Sequence, residues 1–343
     1  MKVGILTGGG DCPGLNPAIR GFVMKALDYG FAVYGIREGW KGLVNDLVDK
    51  EPLTIADVEE LIDKGGTVLR SSRTNPYKDP AQLQAVKTTI QKHGFEAIVA
   101  LGGEDTLGVA SKLYKEGINT VGVPKTMDND LSETDYTFGF DSAVQVNVEA
   151  LDRLRDTARS HSRVIVLEVM GRHAGWVALY TGVAGGADYI LLPEVPLNVE
   201  ELCTQVQRAY ARKGYALVVA SEGVELPEEE HKETKVDAFG HVVLGERNVG
   251  EWVAKEIEKR TGLETRSAVT GHIQRGGAPS AFDRVLASRL GVRAAQCVYE
   301  RDFGKMVALH GNDIVVAPLE AAVGTLRTVP KALYDSLVPL FNK

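Results

Sequence analysis

Three observations on this 343-residue sequence predict an α/β fold with mainly parallel sheets flanked by helices. Short β-branched apolar runs alternate with helix-length amphipathic stretches, the pattern of βα units around a parallel sheet. Those runs are continuously apolar rather than alternating, which suits strands covered on both faces. Glycine clusters stand directly after two of them and open a helix, where an open sheet binds its ligands.

The first strand is VGIL (Val3–Leu6), and a helix is expected over Asn16–Tyr29. AVYGI (Ala32–Ile36), AIVAL (Ala97–Leu101) and TVGV (Thr120–Val123) continue the strands, with a helix at Thr106–Glu116. A long helix over Asp141–Ser160 precedes RVIVLEV (Arg163–Val169), YILL (Tyr189–Leu192) and YALVVA (Tyr215–Ala220). Helices are expected at Val199–Lys213, Asn248–Thr261 and Pro279–Glu300. Glu225–Gly245 is charged and then hairpin-like, a surface excursion. There is no long polar linker, so the chain is expected to cross between any two lobes directly, first near Phe138–Asp141.

Composition excludes several classes. A net charge of −7 argues against nucleic acid as a partner, because a phosphate backbone needs a basic face. Three cysteines without C-x-x-C spacing give neither a disulfide framework nor a zinc site and fit a reducing cytoplasm. No apolar run approaches the length of a membrane span, and MKVGIL reads as a strand rather than a leader, so no membrane is expected.

Chemistry concentrates at the strand ends. GGGDCPGLN (Gly8–Asn16) lets backbone approach an anion closely, but it matches neither G-x-G-x-x-G nor a P-loop. It reads equally as a tight strand-to-helix turn. LGGEDTLG (Leu101–Gly108) repeats the layout with Glu104 and Asp105 in place of positive charge. These two carboxylates fit a helix cap as well as a phosphate site. PKTMDND (Pro124–Asp130) adds carboxylates one βα unit later; it is either an Asx-rich loop or a proton-transfer centre with Thr126 at a developing oxyanion. Arg73, Arg163, Arg172, Arg266 and Arg275 stand beside glycine-rich turns or strand ends of an acidic chain, which suggests a substrate with more than one phosphate. His272 reads as a core histidine or a ligand contact, and Trp40 as packing or a lid over a donor phosphate.

Together, GGGDCPGLN, GGT…SSR, GGEDT, PKTMDND, MGRHAG, SEG and GHIQRGG, in this order, resemble the phosphofructokinase family. GHIQRGG with K-T-x-D-N-D and MGR-x-x-G is the specific part; NAD and lipid kinases share the glycine–acidic turn without it. The resemblance implies the two-lobed phosphofructokinase fold. Residues 1–139 with about 274–324 would bind donor phosphates, and residues 140–273 with about 325–343 would bind sugar phosphate. It further implies magnesium and transfer of a phosphoryl group to the 1-hydroxyl of fructose 6-phosphate.

Matched by motif, Asp128 is the general base, Asp130 supports it, Thr126 lies at the transferring group, and Arg73 and Arg172 offset its charge. Gly10, Gly103, Asp105, Thr106 and Lys125 match donor contacts, and Glu104 the metal-side carboxylate, one methylene longer than the aspartate of many relatives. Arg163, Met170, Gly171, Glu222, Arg266, His272 and Arg275 match the sugar-phosphate residues. Arg163 and Arg266 serve a neighbouring subunit's substrate in the family, which implies a homodimer or homotetramer. Arg20 is present, but Met24 stands where ATP-type relatives pair a second arginine for a phosphorylated effector, so that control is not expected.

ATP-using relatives usually carry glycine where Asp105 stands and often where Lys125 stands. A carboxylate ~4 Å from an α-phosphate costs roughly 4 kcal/mol at an effective dielectric of ~20, while Lys125 suits the end of a shorter donor. The resemblance is therefore to pyrophosphate-dependent members, with an ATP-dependent enzyme and an inactive sugar-phosphate sensor as the competing readings.

Overall fold

The computed structural model describes residues 1–227 and 248–341 and places ten strands among them. In chain order these are β1 (Lys2–Thr7), β2 (Ala32–Ile36), β3 (Ala97–Gly102), β4 (Thr120–Pro124) and β5 (Val164–Val169). They continue with β6 (Tyr189–Leu191), β7 (Ala216–Ser221), β8 (Thr265–Val269), β9 (Lys305–His310) and β10 (Asp313–Pro318). A six-stranded sheet has the order β10-β9-β4-β3-β1-β2, and a four-stranded sheet the order β6-β7-β5-β8. Every pairing is parallel except that of β9 with β10.

The apolar runs became strands because both sheet faces are covered. In β5, Ile165, Leu167 and Val169 enter one core while Val164 and Val166 enter another. In the larger sheet Val3 and Ile5 pack on one side, and Leu6, Ile36 and Ile98 on the other. Period-2 side-chain alternation splits each continuous run between two cores, which erases alternation from the sequence.

On one side of the larger sheet the helices Leu15–Asp28 and Ala281–Glu300 cross at close range. A Cβ on Gly21 would lie 2.5 Å from the Ser288 carbonyl, and one on Gly291 would lie 2.2 Å from that of Ala18. Only glycine lets these backbones meet. The chain passes toward the four-stranded sheet at Gly139, whose φ of 98° caps the helix Phe140–His161.

Three strands were not foreseen: β8, β9 and β10. Helices Pro80–His93, Trp176–Ala184 and Lys331–Phe341 are likewise additions. The expected excursion Glu225–Gly245 lies mostly outside the described residues. No helix among them is long and apolar enough to cross a membrane.

Candidate active site

The C-terminal ends of strands from both sheets open onto one cleft. β1 delivers Gly9 and Gly10, β3 delivers Gly103 to Thr106, and β4 delivers Lys125 to Asp130. From the smaller sheet, β5 leads into Arg172 and His173, β7 into Glu222, and β8 into Arg275. Arg73 and Leu326 complete the wall.

On the larger sheet's side the walls are tight. A Cβ on Gly10 would lie 2.7 Å from Nη1 of Arg275, which donates to the Asp11 carbonyl at 3.0 Å. A Cβ on Gly8 would lie 2.5 Å from Oγ1 of buried Thr106. The following helix starts at Leu15 with Gly14 at its cap, so its N-terminus does not sit directly behind Gly10. Glu104 and Asp105 occupy the first turn of the helix Glu104–Lys115, where negative charge is favourable, with Gly103 as the cap residue, and both also line the cleft, so the two readings of these carboxylates coincide.

Lys125 is 4% exposed, and its ammonium donates to the Gly10 carbonyl. Burial lowers its pKa, the nearby Arg275 charge acts the same way, and the Asp11 and Asp128 charges oppose both. Trp40 is 2% exposed and its indole N–H donates to the Thr106 carbonyl at 3.2 Å, which makes it packing beneath the turn and not a lid.

The acidic loop is held by its own threonine. Thr126 Oγ1 donates to Asp130 Oδ1 at 3.1 Å and accepts the Asp128 N–H at 3.1 Å. Asn129 takes a left-handed φ of 53°, and its Oδ1 accepts the Thr137 N–H at 3.0 Å. Asp128 Oδ1 is buried without a hydrogen-bond partner among the described residues. Burial, then the Asp128 charge, pushes Asp130 up to about 7, and the same two causes push Glu222 up to about 7. Asp128 is thereby the centre of a crowded carboxylate group, an arrangement that suits proton transfer.

Beside it, Gly171 has a φ of 143° and its carbonyl accepts from Ser221 Oγ at 2.6 Å, which turns the chain sharply between Met170 and Arg172. Gln274, fully buried, donates to Thr270 Oγ1 at 3.0 Å and accepts from Asn147 at 2.8 Å, fixing the segment that carries Arg275.

Not every expected residue reaches the cleft. Arg163 precedes β5 and Arg266 is the second residue of β8, at the opposite ends of strands whose C-termini form the cleft. The six steps from Arg163 to Val169 span about 20 Å. Both arginines bind Glu264 instead, at 2.9 and 2.7 Å. Met170 is 8% exposed, while His272 is exposed, which overturns its reading as a core histidine. Gly9, Met127, His173 and Leu326 line the cleft without having been expected there. The first three lie inside recognised motifs, whereas Leu326 is brought in by the fold alone.

The side chains of the cleft bear on the magnesium that the family resemblance implies. No three His, Cys, Asp or Glu residues converge as a metal cage among the described residues. The unpartnered Asp128 Oδ1 and the neighbouring Glu104 and Asp130 nevertheless fit an ion that keeps its waters and takes one or two carboxylates beside phosphate oxygens.

The profile of the family described as phosphofructokinase matches residues 2–298. A Dictyoglomus thermophilum protein named pyrophosphate--fructose 6-phosphate 1-phosphotransferase is 52% identical over 347 residues, covering 100% of this chain and 99% of its own. A Corynebacterium efficiens protein named ATP-dependent 6-phosphofructokinase is 47% identical over 351 residues, with 100% and 99% covered. Among solved structures, Pichia pastoris phosphofructokinase in the T-state is similar with a TM-score of 0.83 at 32% identity, over 94% of this chain and 35% of that one.

Proposed function

The chain belongs to the phosphofructokinase family, and from that premise we propose that it reversibly transfers a phosphoryl group from pyrophosphate to fructose 6-phosphate. The products are fructose 1,6-bisphosphate and phosphate, a step of glycolysis, and the compartment is the cytoplasm. The observation that carries the donor assignment is the wall facing it. Asp105 lines the cleft beside a lysine sealed against the Gly10 carbonyl, where a nucleoside phosphate would meet negative charge and filled space.

In this reading Asp128 takes the proton of the 1-hydroxyl as that oxygen attacks phosphorus and the bond to the bridging oxygen of pyrophosphate breaks. Phosphate leaves with the bridging oxygen. Asp130 shapes the potential at Asp128, and Thr126 orders both carboxylates through its hydroxyl. Arg73 and Arg172 face the transferring group, while Gly10, Gly103, Thr106 and Lys125 seat the donor. When bound, magnesium would supply charge neutralisation of the phosphate oxygens, with Glu104 as the carboxylate on its side.

Met170, Gly171, Glu222, His272 and Arg275 take the sugar phosphate from within the chain, and Arg163 and Arg266 serve a neighbouring copy. A homodimer or homotetramer follows, supported by Val269 and Ile273, exposed at 56% and 72% close to those residues. The donor lobe is residues 1–139 with about 274–324, and the sugar lobe is 140–273 with about 325–343.

The test is the initial rate of fructose 6-phosphate phosphorylation with magnesium and either pyrophosphate or ATP. Asp105→Gly and Asp105→Gly/Lys125→Gly are measured beside the wild type. Activity with pyrophosphate alone, and ATP use emerging in the variants, is the expected result. Wild-type turnover with ATP would return the chain to the ATP-dependent reading.

A further inference from the structure

Arg327 lies in the segment between the helices Leu319–Ala322 and Lys331–Phe341, outside every motif noted in the sequence. Its backbone N–H donates to the Asp130 carbonyl at 2.8 Å. Its Nη1 donates to the Asn129 carbonyl at 3.2 Å. The guanidinium carbon stands 4.2 Å from the centroid of the Trp176 ring, and the Trp176 indole N–H donates to the Arg327 carbonyl at 2.9 Å. One residue thus clasps the acidic loop on one side and an indole of the smaller sheet's helix on the other.

The neighbouring contacts follow the same line. Leu326 bridges Leu131, and Ser132 Oγ donates to the Thr325 carbonyl. Two residues beyond Arg327, the Val329 N–H donates to Glu194 at 2.8 Å, and the Gly175 N–H reaches that same carboxylate at 3.0 Å. Segment 325–329 is therefore a strap. It runs from Asn129–Ser132 to Gly175–Trp176, the end of the loop that carries Arg172 and His173.

We propose that Arg327 is a positioning residue, which keeps the Asp128–Asp130 loop in register with the Arg172 loop across the cleft. The inference rests on the functional reading above. Asn129 is where the loop turns most sharply: its backbone is left-handed, and both its carbonyl and its side chain are bonded from outside the loop. Thr137 binds the side chain and Arg327 the carbonyl. A guanidinium does this while its flat face rests on Trp176, and a lysine ammonium performs one of the two tasks at a time.

The experiment compares Arg327→Met and Arg327→Lys with wild type in the full chain, by steady-state kinetics with pyrophosphate and by hydrogen exchange. Methionine keeps the apolar stem on the indole and removes the donor and the charge. Its kcat is expected to fall about 30-fold, the scale of a sub-ångström misplacement. Both KM values should stay within about 3-fold, because ground-state binding is untouched. Amides of Thr126–Leu131 should exchange about 10-fold faster while the β-strands do not change. Lysine should recover part of kcat.

Unchanged exchange in that loop overturns the proposal whatever the rates do. Faster exchange with kcat intact also overturns it, leaving Arg327 a contact of stability. If wild type is silent with pyrophosphate, the functional reading fails instead; faster loop exchange then still upholds the strap, and unchanged exchange removes it.

Discussion

The two sides of the cleft are built differently. On the larger sheet's side, Gly9–Gly10, Gly103–Thr106 and Lys125–Asp130 arrive at one place from three adjacent parallel strands. On the smaller sheet's side Arg172, Glu222 and Arg275 arrive, while Arg163 and Arg266 stand at the far ends of their strands, bound to Glu264. The larger sheet brings all of its expected residues to the cleft, whereas the smaller leaves two arginines at the opposite ends of their strands, the placement behind the proposal that they serve a neighbouring copy.

The sharpest way to break this comparison is Asp128→Ala. Turnover is expected to fall by about 10³-fold or more, with fructose 6-phosphate affinity by calorimetry held within a few-fold, since the hydroxyl proton matters only in the transition state. A loss of binding equal to the loss of rate would make Asp128 a ligand contact instead of the base.

Next in size is the donor wall. Asp105→Gly with Lys125→Gly should shift the ratio of kcat/KM values for pyrophosphate over ATP by roughly 100-fold toward ATP. An unchanged ratio means that donor length is set elsewhere.

Arg163→Ala should raise KM for the sugar phosphate by about 10-fold without changing KM for pyrophosphate. Co-refolded with Asp128→Ala protein and assayed with fructose 6-phosphate well below its KM, it should regain activity above either parent, because intact halves then meet across subunits. Absence of any regain would confine both halves to one chain.

The smallest effect is on stability. Asp130 and Glu222 sit near 7 when folded, against ordinary values of 3.8 and 4.5. A raised carboxyl binds its proton more tightly in the folded state, so its contribution is complete below pH ~4 and is lost as pH rises through ~7. Asp130→Asn removes one such loss. Its melting temperature, relative to wild type, should climb by roughly 3 °C between about pH 5 and pH 8. A flat difference would mean that Asp130 titrates as an ordinary carboxyl.

Much of this was legible in the sequence, for identifiable reasons. β1 and β3 to β7 were visible as continuous apolar runs because each is buried on both faces. β8 was not: Arg266, Ser267 and Val269 are exposed on an edge strand, so burial never wrote an apolar run there. Trp176–Ala184 was missed because a helix apolar nearly all round has no stripe to recognise. In the cleft, residues within motifs were found, including Asp105 and Lys125. Arg327 and Leu326 were out of reach, since only the return of the chain near its end lays them on Asn129–Leu131. Gln274 stood inside a recognised motif, yet its role as an internal brace depends on Asn147, 127 positions away.

The glycine crossing of Leu15–Asp28 with Ala281–Glu300 has a consequence for the turn that carries Gly9 and Gly10. With Ala18 and Ser288 carbonyls against bare α-carbons, neither helix can slide without collision. The turn ahead of the first helix therefore hangs from a rigid frame. Such a frame holds one wall of the cleft at a fixed level, so the room on that side is set by the side chains that line it, Asp105 and Lys125 among them.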